Sequence, residues 1–123
     1  MATQIRTDVA KNRLYLILDG AFGDAEVQSA LVTVHGEAKK LRPGFSVITD
    51  LTTFKPASLK AGDAIKGVQA ELVKLGMKHV VRVVGKNARG AMQFELRGKE
   101  VGYEGHLKVE MAATLADAEK ILR

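Results

Sequence analysis

Two stretches of helical period stand between runs of strand period, and that alternation constrains the fold more than any other feature of this chain. Val27, Leu31, Val34, Ala38 and Leu41 recur at spacings of four, three, four and three residues, so they share one helical stripe. Ala61, Ile65, Val68, Leu72 and Leu75 repeat the same spacing. Phe45 to Leu51 lies between the two stripes. Val80, Val81, Val83 and Val84 follow the second, interrupted only by Arg82. A nearly continuous β-branched run suits a strand covered on both faces, and it is read as the centre of a sheet. Helices between strands act as crossovers, and crossovers impose parallel pairing.

The punctuation agrees with the periods. Ile5, Thr7 and Val9 alternate with polar neighbours, Ala10 to Asn12 break the pattern, and the apolar run Leu14 to Leu18 follows; this predicts a hairpin. Asp24 is placed to cap the first helix, and Arg42, Pro43 and Gly44 stop it. Gly76 is placed to end the second. Asn87 to Arg97 reads as a weaker helix with Gly90 inside it. Leu107, Val109 and Met111 alternate with His106, Lys108 and Glu110, which predicts a half-exposed strand. Thr114 then caps a last helix through Leu115, Ala118 and Leu122. The expected fold class is α/β: a single mixed, mostly parallel five-stranded sheet with about four helices, in the order β-β-α-β-α-β-α-β-α. A chain of 123 residues builds one core, so residues 1–123 are read as one domain.

Composition narrows the function classes. Hydrophobic residues at 46% and charged ones at 27% are ordinary globular usage, so the chain should fold. There is no Cys, which excludes disulfide and thiolate chemistry. No apolar stretch has signal-peptide or membrane-span length. Together these features point to the cytoplasm, with no membrane span. The net charge is +5, and 13 of the Lys and Arg residues fall between Lys39 and Lys99. Those charges are spaced out rather than run together, and aromatic residues at 5% are too few for a base-stacking surface. Nucleic acid is therefore disfavoured as a partner.

Leu18-Asp19-Gly20-Ala21-Phe22-Gly23-Asp24, Asp50-Leu51-Thr52 at the end of the third strand, and the tail from Thr114 to Leu122 carry a resemblance. In them, and in its order of elements over nearly the whole length, the chain resembles the sulfate transporter and anti-sigma factor antagonist (STAS) domain family. The resemblance implies a regulatory, non-catalytic protein-interaction module, bacterial and cytoplasmic, whose partner is a kinase-like anti-sigma factor. It also implies a phosphoacceptor at the start of the second helix, within Asp-Ser-Ser/Ala-Gly, and Ser58 falls at that place. Here Ala57 replaces the Asp, no Gly follows directly, and Pro56 alters the approach. Ser is also a preferred N-cap whatever else it does, and a phosphate at a helix N-terminus meets exposed N–H groups.

In an open sheet of this kind ligands collect beyond the carboxyl ends of the parallel strands. Three loops meet that description: Asp19 to Asp24, Thr52 to Ser58, and Gly85 to Arg89. The expected partner-binding or anion-binding rim comprises Asp24, Thr52, Thr53, Lys55, Lys86, Asn87 and Arg89. An alternative reading is a small carrier or sensor of an anionic or lipid-like ligand. No catalytic residue, metal site or cofactor is expected. His35, His79 and His106 lack metal-ligand spacing, and Gly85-Lys86-Asn87-Ala88-Arg89-Gly90 is poor in glycine for a phosphate loop. Asp19 and Asp24 read as a turn residue and a cap. Leu107 to Met111 reads as an exposed edge strand, which gains from pairing and so invites a homodimer.

Overall fold

The structure, a computed structural model, describes residues 3–21, 24–55, 59–85 and 108–122. The strands are β1 (Gln4–Asp8), β2 (Arg13–Ala21), β3 (Ser46–Lys55), β4 (His79–Val83) and β5 (Lys108–Ala112), and the helices are α1 (Asp24–Ala38), α2 (Leu59–Lys74) and α3 (Leu115–Ile121). They form one five-stranded sheet in the order β1-β2-β3-β4-β5. β1 and β2 pair antiparallel as a hairpin, and every later pair is parallel. The expected α/β class, mixed sheet and element order are therefore present. Three helices lie among the described residues; the weaker helix expected over Asn87 to Arg97 lies outside them.

Strand alternation splits the core into two layers. Leu14, Leu16, Val47 and Val80 point to one face, where Val34 and Ala38 of α1 and Leu72 of α2 close over them. Tyr15, Ile48, Val81 and Val83 point to the other, where Ala118 of α3 is fully buried. Val34, Ala38 and Leu41 of the first helical stripe and Val68, Leu72 and Leu75 of the second thus pack in the first of these layers. Burying such a Leu, Ile or Val contributes about 1.5–3 kcal/mol each. The central strand is β3, and β4 lies one place off centre. The valine run reflects cover on both faces, which an interior strand next to the middle receives as fully as the middle strand itself.

The helix ends follow from local chemistry. At the end of α2, Met77 N–H donates to the Leu72 carbonyl and Gly76 N–H to the Val73 carbonyl, both at 3.0 Å. This is a Schellman closure, and Leu72 and Met77 seal it by packing in the same core layer. Gly76 sits at φ +105, and a Cβ there would stand 2.8 Å from the Pro43 Cα. Thr114 caps α3, its side chain accepting from the Asp117 N–H at 3.2 Å. At the amino end of the parallel strands, Asn12 (φ +53) ties the hairpin turn to the loop after α1. Its side chain donates to the Arg42 carbonyl at 3.2 Å and accepts from the Arg42 N–H at 2.8 Å.

Candidate functional site

Because β2, β3, β4 and β5 run parallel, their carboxyl ends meet at one rim, and Asp24 begins α1 on the chain leaving β2. The rim differs from the sequence expectation in one respect. β2 and β3 keep pairing beyond a register shift between Ile17 and Asp19, so that Asp19, Gly20 and Ala21 oppose Thr53, Phe54 and Lys55. Asp19 therefore stands in a strand rather than a turn, and Thr52, Thr53 and Lys55 stand on β3 rather than in a loop. Gly20 at φ +75 supplies backbone freedom that a side chain would resist in this irregular stretch.

Pleating sorts these positions. Phe54 is buried, and Thr52, Thr53 and Lys55 are exposed. The Asp50 carboxylate accepts from the Thr52 N–H at 3.0 Å and from its hydroxyl at 2.7 Å, which fixes the rotamer of Thr52. Gly85 leaves β4 at φ +52, and a Cβ there would come within 3.2 Å of the Thr52 methyl and 3.8 Å of the Ala113 carbonyl oxygen. Thr52, Gly85 and Ala113 thus form one shallow exposed ledge across the ends of β3, β4 and β5. The Thr53 hydroxyl holds the Asp19 carboxyl below its ordinary value, against a smaller opposing effect of desolvation.

Of the residues expected on this rim, Thr52, Thr53 and Lys55 share the end of β3 and Asp24 begins α1. Ser58, Lys86, Asn87 and Arg89 lie outside the described residues. The described part of the rim is not basic, since Asp19 and Asp50 stand there with Lys55. Among the described residues there is no group of acidic and histidine side chains placed to hold a metal ion. His35 faces Glu71 across α1 and α2 at 3.0 Å, and His79 faces Glu110 across β4 and β5 at 2.5 Å. His106 is outside the described residues. No helix among the described residues is long and apolar enough to cross a membrane.

One polar cluster escaped the sequence reading. On the α3 face, Tyr15 is buried; its hydroxyl donates to Glu119 at 2.8 Å and accepts from Arg13 at 3.2 Å. Arg13 also reaches the Leu122 carbonyl at 3.4 Å, and the Arg6 guanidinium lies 4.0 Å from the centre of the Tyr15 ring. The cluster pins the end of α3 to the hairpin. Its signal was the same-face pair Arg13 and Tyr15 inside an otherwise apolar strand. Glu119 is more than a hundred residues away, and no local pattern links it to them.

An open mixed sheet with an antiparallel hairpin at one edge, two helices over one face and a short final helix over the other is the STAS-like fold. Among solved structures, the anti-sigma factor antagonist SpoIIAA in its unphosphorylated form is similar to this chain over 99% of its length and 98% of that chain's, with a TM-score of 0.65 at 15% identity. The sequence resemblance is therefore borne out in the fold. No family model and no curated protein sequence matches the chain.

Proposed function

We propose that the chain is a regulatory protein-interaction module, not an enzyme, and that it meets its partner at the rim formed by the carboxyl ends of β2, β3, β4 and β5. The observation that carries this reading is the contiguous exposed ledge of Thr52, Gly85 and Ala113, in which Thr52 stands on β3 and is held by Asp50 while Gly85 and Ala113 follow the ends of β4 and β5. Its anchor is thus a strand residue, and sites built on strands are held more firmly than sites on loops. The fold shared with SpoIIAA, itself an anti-sigma factor antagonist, supports a protein partner of the kinase-like anti-sigma class.

Asp24, Lys55, Lys86, Asn87 and Arg89 complete the rim in this proposal, and Ser58 is its phosphoacceptor. A phosphate there adds close to two negative charges beside a helix start, enough to exchange one partner for another. Affinity capture from the native cell with Ser58→Asp and Ser58→Ala baits tests the switch. The two baits should retain different proteins, and identical partner sets would remove the switch from the account.

A further inference from the structure

The amino ends of the parallel strands form a second pole, opposite the rim. Arg13, Ser46, His79 and Lys108 pair in one row across β2 to β5, so the segments that enter these strands lie side by side. Backbone bonds stitch them together: the Ser46 N–H donates to the Asn12 carbonyl at 3.1 Å, Gly44 to Gly76 at 2.7 Å, and Lys78 to Phe45 and Lys108 to Lys78 at 3.0 Å. With β1 included, strands spaced at about 4.8 Å make a platform about 19 Å wide. α3 ends there too, its Leu122 carbonyl accepting from Arg13 at 3.4 Å.

Positive charge gathers at this pole. Lys11 in the hairpin turn, Lys39 and Arg42 after α1, Lys74 and Lys78 about the end of α2, and Lys120 near the end of α3 are exposed and have no carboxylate partner among the described residues. The neighbouring carboxylates are engaged: Asp8 accepts from the Lys11 N–H at 3.2 Å, Glu37 pairs with Lys40 at 2.6 Å, and Glu110 faces His79. Helix dipoles draw cations to last turns, which accounts for Lys39, Lys74 and Lys120. Lys11, Arg42 and Lys78 stand outside any helix, so the dipoles do not explain them. Beside Lys11, Val9 is 57% exposed in a turn closed by the Asn12 N–H to Val9 carbonyl bond at 3.1 Å.

We propose that this pole docks on the surface of an anionic lipid bilayer, with the six cations over the headgroups and Val9 entering the headgroup boundary. A bilayer presents negative charge over a broad field, which suits cations spread across the platform rather than run together along a line. Apolar contact joined to several basic residues is the pairing that holds a protein at such a surface. Nucleic acid would meet the cations through its phosphates but would offer nothing to Val9. The surface lies at the far end from the rim, so it stands or falls separately from the reading of the rim and leaves a partner there unobstructed.

The probe is a vesicle of phosphatidylcholine mixed with phosphatidylglycerol, set against one of phosphatidylcholine alone, and binding of the full chain is read by flotation. The chain should float with the anionic vesicles only, and less as salt rises. Lys11→Glu should weaken binding about fivefold to tenfold, and Arg42→Glu by a similar factor. Lys55→Glu makes the same change of charge at the opposite pole and should leave vesicle binding unchanged. Val9→Asn, which keeps the charge, should weaken binding about threefold. All four positions are exposed, and circular dichroism of each variant should match the parent. No binding to anionic vesicles at low salt, equal losses from Lys11→Glu and Lys55→Glu, or an unaffected Val9→Asn would overturn the proposal. So would tighter binding to a DNA duplex than to the vesicles at the same salt, because the pole would then serve nucleic acid.

Discussion

Replacing Gly76 by Ala tests how tightly α2 closes against Pro43. Two costs add at this position. At φ +105 an L side chain sits in the left-handed half of backbone space, which costs about 1–2 kcal/mol. The new Cβ would also stand 2.8 Å from the Pro43 Cα and 2.9 Å from its Cβ. Both atoms belong to a ring on a loop held by the Gly44 N–H to Gly76 carbonyl bond at 2.7 Å, so the neighbour yields little. Overpacking of that kind costs about 1–3 kcal/mol. The expected loss is about 2–5 kcal/mol, a large share of the stability of a domain of this size. Gly36→Ala is the matched control: Gly36 lies within α1, nothing stands within 4 Å of its added Cβ, and its φ is not positive. It should stabilise by about 0.5–1 kcal/mol. Urea unfolding followed by circular dichroism reads both, with the slope m required to stay constant. A Gly76→Ala protein as stable as the parent, or a Gly36→Ala protein equally damaged, would refute the reasoning.

Tyr15→Phe should cost about 1–3 kcal/mol, because buried Arg13 and half-buried Glu119 each lose the Tyr15 hydroxyl; accelerated amide exchange in residues 115–122 would localise the loss to α3. Burial pushes the Tyr15 phenol above its ordinary value of 10.0, with Arg13 opposing and Glu119 reinforcing. Its contribution to stability is therefore complete below about pH 10 and lost as pH rises through the folded-state value; alkaline unfolding of Tyr15→Phe should lack that slope. Asp19 is held low first by the Thr53 hydroxyl, and Glu37 first by the Lys40 hydrogen bond. Their contributions are present above the ordinary values of 3.8 and 4.5 and fade as pH falls through the depressed ones, and carboxyl-carbon NMR of Thr53→Val should show Asp19 titrating closer to its ordinary value. Native mass spectrometry should give the bare chain at 13.3 kDa; a retained lipid or anion would favour the carrier reading instead.

Much of the architecture was legible because it is local. Val34 and Ala38 in one stripe and Leu72 in the other announced which faces of α1 and α2 are buried, Gly76 announced the end of α2, and Thr114 announced the start of α3. What escaped is long-range. The extra length of β2 and β3 comes from pairing past a register shift, which depends on the partner strand and not on either strand's own pattern. Arg82 interrupts a valine run in the sequence, yet it is buried with Thr49 and Gln69 beside a void of about 20 Å³ under α2. Polarity alone would have placed it at the surface. The Tyr15 cluster likewise joins segments far apart in sequence. The rim was legible in outline, since parallel strands must end together, but the side of each β3 residue that faces solvent depended on the register.

Photo-crosslinking from two ends of the sheet tests the central claim most directly. A benzoylphenylalanine placed at Thr52, on the ledge at the carboxyl ends of the strands, should capture a partner protein in the native cell. The same group at Lys11, in the exposed hairpin turn at the opposite end, should capture none. Capture from Lys11 with none from Thr52 would contradict the account.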